Sequence, residues 1–256
     1  MTGTNEQFSM RDPRHQTAND TGFAAEMNAY FGRSLGGNLD KLRNFAKFVP
    51  RQDLASFLAR HELFKLALGV HGHVLECGVF LGGGLMTWAQ LSAIYEPVNH
   101  VRRIVGFDTF TGFVDVGAKD RGDNVDYTKA GGLAANAEDD LREAIRLYDM
   151  NRPIGHIPRV ELVVGDAVQT IPDYLRNNQH LVVALLYLDF DLYEPTKAAL
   201  ETFLPRMPKG AVLAFDELDQ AAWPGETLAV LETVGLRNLR IQRFPYTPQV
   251  SYAVLE

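Results

Sequence analysis

The chain contains a single cysteine, Cys77, so it can build neither an internal disulfide nor a cysteine-based metal site. Long apolar runs are also missing. The longest, Leu181–Leu188, has eight residues, far short of a membrane span. Nor is there an excess of positive charge: 25 Lys and Arg against 32 Asp and Glu leave a net charge of −7, which argues against a phosphate-backbone binder. The opening Met1-Thr2-Gly3-Thr4-Asn5-Glu6-Gln7 lacks the basic-then-apolar pattern of a secretory leader, and no internal repeat or low-complexity tract occurs. What remains, at 46% hydrophobic and 22% charged residues, is the composition of a soluble globular chain. A cytoplasmic protein that contacts neither nucleic acid nor membrane is expected.

Residues 1–22 are polar and irregular and read as a flexible arm. Residues 23–70 read as an N-terminal helical cap, with apolar residues at helical spacing from Asp40 to Leu68 and Pro50 dividing two helices. From 71 to 256 the rhythm changes. Short β-rich runs alternate with helical ones: 73–79 and 85–95, 103–108 and 138–149, 159–165 and 168–177, 181–189 and 195–204, 210–216 and 226–234. Such alternation predicts an α/β fold with a mostly parallel sheet covered on both faces. The uninterrupted apolar run Leu181–Leu186 suits a central strand. At the end, 239–244 and 250–255 flank Pro245-Tyr246-Thr247-Pro248 with no room for a helix, which predicts an antiparallel hairpin. The stretch 112–137 carries five glycines and no apolar periodicity, and reads as a lid-like loop.

In an open α/β sheet, ligands bind beyond the carboxyl ends of the strands. Here those ends are Glu76-Cys77-Gly78, Phe107-Asp108-Thr109, Gly165-Asp166, Asp189-Phe190-Asp191 and Asp216-Glu217, each with at least one carboxylate. In the first turn, Glu76 to Gly84, glycines allow a ligand to approach the backbone. The spacing is not G-x-G-x-x-G, and a ligand-facing Glu76 would repel a pyrophosphate while suiting an ammonium or sulfonium group. A plain glycine-rich turn is the alternative. Asp108 is placed to accept ribose hydroxyls or to serve as a loop carboxylate. Asp166 can reach an adenine amino group or cap the next helix. Asp191-Leu192-Tyr193-Glu194 fits a capping box, so Asp191 divides between cap and catalysis. Asp189 and Asp216 follow apolar strands and should meet across adjacent strand ends. His71 and His73 precede the first strand and so lie at the opposite end of the sheet. Phe110, Phe113, Tyr193 and Trp223 are candidates for an aromatic wall, with a core role equally open to the phenylalanines. Glu226 either contacts substrate or favours the start of its helix.

Three segments carry a resemblance: Glu76-Cys77-Gly78-Val79-Phe80-Leu81-Gly82-Gly83, Phe107-Asp108-Thr109-Phe110-Thr111-Gly112-Phe113 and Leu188-Asp189-Phe190-Asp191-Leu192-Tyr193-Glu194-Pro195-Thr196. With the acidic first turn and the closing hairpin, they look like a class I S-adenosylmethionine-dependent methyltransferase. They are most similar to the macrocin O-methyltransferase family, whose members methylate sugar hydroxyls of natural products. The resemblance implies a Rossmann-like fold with S-adenosylmethionine held by Glu76, Cys77, Gly78, Gly82, Asp108, Thr109, Phe110, Asp166 and Ala167. It further implies Mg²⁺ held by Asp189, Asp216 and Glu217, a sugar-containing small-molecule acceptor and a homo-oligomer. Glu217 departs from the aspartate common there. The base that takes the acceptor proton is Asp189 or Asp191, since Leu192 stands where some metal-dependent methyltransferases carry a Lys or His. Rival readings are a methyltransferase acting on a phenol or amine and a nicotinamide-dependent oxidoreductase.

Overall fold

Val183–Leu188 (β4) is buried at all six positions, and this strand lies at the centre of a seven-stranded sheet. The structure is a computed structural model that describes residues 17–122 and 127–256. Strands β1 (His73–Cys77), β2 (Ile104–Asp108), β3 (Val160–Val164), β4 and β5 (Val212–Phe215) are parallel, and β6 (Gln242–Arg243) and β7 (Ser251–Val254) are antiparallel. The order is β3-β2-β1-β4-β5-β7-β6, so the chain reverses its direction of travel between β1 and β4. This is the Rossmann-like α/β fold with its closing hairpin. The first arm of the hairpin has only two residues in register, fewer than the pattern at 239–244 predicts.

The chain divides into two units, at Leu54/Ala55 rather than 70/71. In the first, α1 (Ala18–Arg33) and α2 (Asn38–Arg43) are followed by a 3-10 turn, Phe45–Lys47. Phe31 meets Phe48 edge-on at 5.0 Å, and the Lys41 ammonium lies over Phe31. Residues 18–22, expected in the arm, are the first turns of α1, and residues 1–16 lie outside the described residues. Helix α3 (Arg51–Ala67) begins in the first unit and continues into the second. Its later residues Ala59, Leu63, Phe64 and Ala67 are buried with Val74, Leu85, Trp88 and Tyr187 on one sheet face, which is why the boundary falls earlier than the sequence suggests.

In the second unit, helices follow each parallel strand: α4 (Gly83–Tyr95), α5 (Glu138–Met150), α6 (Ala167–Asn177), α7 (Tyr193–Phe203) and α8 (Pro224–Thr233). The opposite sheet face buries Phe107, Ile171, Phe203 and Phe215. Among the described residues, no helix is long and apolar enough to cross a membrane.

Candidate active site

Every parallel strand is followed within a few residues by a left-handed backbone position. Four of these are not glycine: Phe80 (φ +52°), Phe110 (φ +56°), Asp191 (φ +61°) and Asp219 (φ +67°). Such conformations cost free energy and concentrate where a fold presents side chains for function. They place the candidate site at the carboxyl edge, around the switch point between β1 and β4.

The turn after β1 is shaped by β2 and β4. At Gly78 (φ +96°), a Cβ would sit 1.8 Å from the Asp189 carbonyl oxygen, so only glycine lets the two strand ends approach. Asp108 accepts hydrogen bonds from the backbone N–H groups of Val79 (2.7 Å) and Phe80 (2.8 Å) through Oδ2, and from Phe110 (2.6 Å) through Oδ1. One carboxylate therefore folds the turns after β1 and β2 together. Removing it leaves three N–H groups unsatisfied in a part-buried setting. Asp108→Ala is expected to lower unfolding free energy by about 2–4 kcal/mol in urea denaturation, with Asp108→Asn losing less.

Other expected cofactor residues occupy the same rim. The Thr109 hydroxyl donates to Gly112 O at 2.7 Å and accepts from Thr111 N, closing a local turn. Phe110 is buried. Gly82, in the left-handed conformation, precedes α4, whose N-terminus has no side-chain cap. Asp166 is the N-cap of α6, accepting from Val168 N at 3.0 Å, and Ala167 begins that helix. The buried Cys77 thiol is pushed well above its usual range by burial. Its backbone carbonyl accepts from Asp189 N, tying the end of β1 to that of β4.

Glu76 lies elsewhere than the sequence suggests. It is 1% exposed, and its Oε1 lies 3.5 Å from Arg60 Nη2 instead of facing open space. Burial raises its carboxyl to about 7, against the opposing pull of Arg60. His73, by contrast, sits at the other end of the sheet as expected, where burial and neighbouring Arg103 lower it to about 4.

The acidic cluster differs in one member from the expected set. Asp189, Asp191 and Glu217 each offer a carboxylate oxygen within 4.8 Å of the others. Asp216 lies beside them: the Tyr187 hydroxyl donates to its Oδ1, and it is the largest charge influence on all three. Asp191 takes its place because it is not the helix cap. The N-cap of α7 is Leu192, without a side-chain cap bond, and the N–H of Tyr193 is satisfied by Asp120 Oδ1 at 2.6 Å. Asp120 is 2% exposed and comes from the 112–137 loop, so a residue 73 positions upstream supplies what the local capping box would have. Its Oδ2 accepts from Gly117 N. Lys119 beside it reaches Glu232, which also accepts from the Tyr193 hydroxyl. The described part of the loop is thus strapped across α7 and α8.

Electrostatics follow from this crowding. Burial, then neighbouring Asp216, pushes Asp189 and Glu217 well above the usual carboxylate range and Asp191 up to about 8. Glu226, wholly buried behind Glu217, accepts the Glu217 N–H at 3.1 Å and is raised for the same reasons. Phe113 and Trp223 meet edge-on at 5.9 Å, whereas Phe110 and Tyr193 are buried, so the aromatic wall reduces to that pair.

The family model for macrocin-O-methyltransferase (TylF) matches residues 56–238. The chain belongs to this family. The match runs from Ser56 on α3 through α8, and so contains all the acidic residues above. The chain is 36% identical to CalS11, a calicheamicin methyltransferase, with 97% of this chain and 98% of that one covered at a TM-score of 0.90. The apo form of CalS11, a TDP-rhamnose 3'-O-methyltransferase of calicheamicin biosynthesis, is 35% identical over 95% of this chain and 99% of that one, with a TM-score of 0.82. A tetracenomycin 4'-O-methyltransferase of Streptomyces olivaceus that acts on a dimethoxyrhamnosyl compound is 25% identical over 158 residues, 59% of this chain. That stretch spans 55% of the Streptomyces protein, about half its length. Membership of the macrocin-O-methyltransferase family places this chain among O-methyltransferases.

Proposed function

We propose that the chain transfers a methyl group from S-adenosylmethionine to a hydroxyl of a sugar in natural-product biosynthesis, assisted by a divalent cation at Asp189, Asp191 and Glu217. The convergence of these three carboxylates beyond β4 and β5, in a chain of this family, carries the reading. The donor set fits a hard ion. It is all oxygen, and Glu217, 6% exposed, keeps a buried Oε2 without a hydrogen-bond partner. Mg²⁺ suits such a set, and when bound it supplies positive charge that eases ionisation of a neighbouring hydroxyl.

The chain's own residues do the rest. The turn Gly78–Gly82 would hold S-adenosylmethionine, with Asp108 and Thr109 serving its ribose and Asp166 and Ala167 its base. Asp108 already accepts three N–H bonds, which leaves about one lone-pair direction for a ribose hydroxyl. Glu76, buried against Arg60, would act on the cofactor through the turn it supports. Methyl transfer forms a C–O bond as the S–CH₃ bond breaks, and the two reactants must be held in line. The acceptor proton goes to Asp191. Asp189 is engaged by Arg60 (3.7 Å), whereas no cationic side chain of the described residues pairs with Asp191, which leaves Asp191 the freer carboxylate to take a proton. Phe113 and Trp223 offer an apolar surface for the sugar ring.

Incubation with S-adenosylmethionine and TDP-rhamnose, or a rhamnosylated natural product, should yield a product heavier by one methylene and one equivalent of S-adenosylhomocysteine. Turnover of phenols or amines alone would replace the acceptor class. Tight NADH binding with no affinity for S-adenosylhomocysteine would overturn the reaction itself.

A further inference from the structure

Among the described residues, Arg60 is the cation paired with the buried acids at this edge, and the reaction outlined above gives it no role of its own. It projects from α3, is 9% exposed, and its Nη1 donates to Ser56 Oγ. Nη2 lies 3.5 Å from Glu76 Oε1 and 3.7 Å from Asp189 Oδ2, so a single guanidinium nitrogen bridges the ends of β1 and β4. Its Cζ lies over the Tyr187 ring, 4.6 Å from the centroid, and 5.8 Å from that of Trp88. Room for the group depends on Gly84: a Cβ there would sit 2.0 Å from Glu76 Oε1 and 2.9 Å from Arg60 Nε and Nη2.

Arginine is the side chain this place requires. It stays charged when buried, its planar fork addresses two carboxylates at once, and it stacks on aromatic rings. Glu76 is far more buried than Asp189, whose side chain is 30% exposed. Glu76 therefore anchors the guanidinium, and the guanidinium in turn restrains the more accessible Asp189. Asp189 meets Asp191 and Glu217 on its other side.

We propose that Arg60 is a positioning residue: anchored on Glu76 and packed on Tyr187, it fixes the Asp189 carboxylate at the rim of the acidic cluster so that the three carboxylates can hold one cation. The proposal rests on the reading of Asp189, Asp191 and Glu217 as a cation site. Removing an outer partner of a metal-holding carboxylate typically weakens metal affinity by about 10–100-fold.

The full chain is titrated with Mn²⁺ and free ion is read by electron paramagnetic resonance, for wild type, Arg60→Lys and the double variant R60M/E76Q. The double variant removes Arg60 and its fully buried counter-charge together, so the carboxylate left without its cation is the partly exposed Asp189. If Arg60 only neutralised Glu76, the double variant would match wild type in both thermal midpoint and Mn²⁺ affinity. The expected result is a thermal midpoint close to wild type with Mn²⁺ affinity about tenfold weaker or more. Arg60→Lys keeps the charge but not the fork, and should also bind Mn²⁺ more weakly than wild type. It decides the matter if the double variant does not fold. Equal affinity in a folded variant overturns the proposal. A wild-type chain that binds no Mn²⁺ overturns the cation reading, and the Arg60 proposal with it.

Discussion

Asp191→Asn should lower kcat by about 10³-fold while S-adenosylhomocysteine binds as in wild type, because the change removes the proton acceptor and touches no cofactor contact. The substitution is well suited to the site. Asp191 has φ +61°, and asparagine is among the few residues that tolerate this conformation, so the backbone after β4 should keep its path. An amide is a neutral, weaker ligand and cannot take a proton at neutral pH, so Asp191→Asn loses cation affinity and the proton acceptor together. Asp189→Asn and Glu217→Gln should lose cation affinity alone, and so recover part of their activity as Mg²⁺ is raised. At saturating Mg²⁺ the kcat of Asp191→Asn should stay low, because the proton acceptor is still missing. Steady-state kinetics across a Mg²⁺ series, with calorimetry for S-adenosylhomocysteine, separates the two classes. An Asp191→Asn enzyme with near-normal kcat would move the proton to another group.

Much of this edge is legible from residue order alone. Short β-rich runs of four to six residues locate β1 to β5, and in a parallel sheet their ends must share one edge, so the acids at 76, 108, 166, 189, 191, 216 and 217 are brought together by topology. Which of them share a ligand is not legible, because that depends on contacts between distant segments. Asp191 and Glu194 look like a cap and its partner only while Asp120 is ignored. Once Asp120, from the long loop, satisfies the Tyr193 N–H, Asp191 is free to join the cluster. Sequence order gives no sign that the Tyr187 hydroxyl, on the neighbouring strand, holds one oxygen of Asp216. Arg60 gives no signal at all in sequence. On α3 it reads as one more charged position of a surface helix, and only the buried Glu76 and the missing side chain at Gly84 reveal its role. A signal for Asp120 does exist: an acid flanked by Gly117 and Gly122 in a loop that must return to the sheet edge is well placed to cap a helix there.

Chelation with EDTA should abolish turnover, Mg²⁺ should restore it, and the same treatment should change stability in a pH-dependent way. The carboxylates of the cluster repel one another and are poorly solvated, which favours their protonated forms in the folded chain. Asp191 rises from 3.8 to about 8, and Asp189, Glu217 and Glu226 are raised as well. The unfolded chain releases those protons near the ordinary carboxylate value, and the folded, chelated chain retains them longer. Between these limits the folded state binds more protons, so stability falls as pH rises. The contribution is complete below about pH 4 and is lost by about pH 8 for Asp191. A divalent ion competes with those protons and stabilises most where they have left. The thermal midpoint of the chelated protein should therefore be lower at about pH 8 than at about pH 5.5, and the gain on adding Mg²⁺ should be larger at the higher pH. For a chain of this size, each kcal/mol corresponds to about 2–4 °C, well within the reach of calorimetry. Full activity in EDTA, together with a midpoint indifferent to Mg²⁺ at both pH values, would leave these acids a structural role and methyl transfer without a metal.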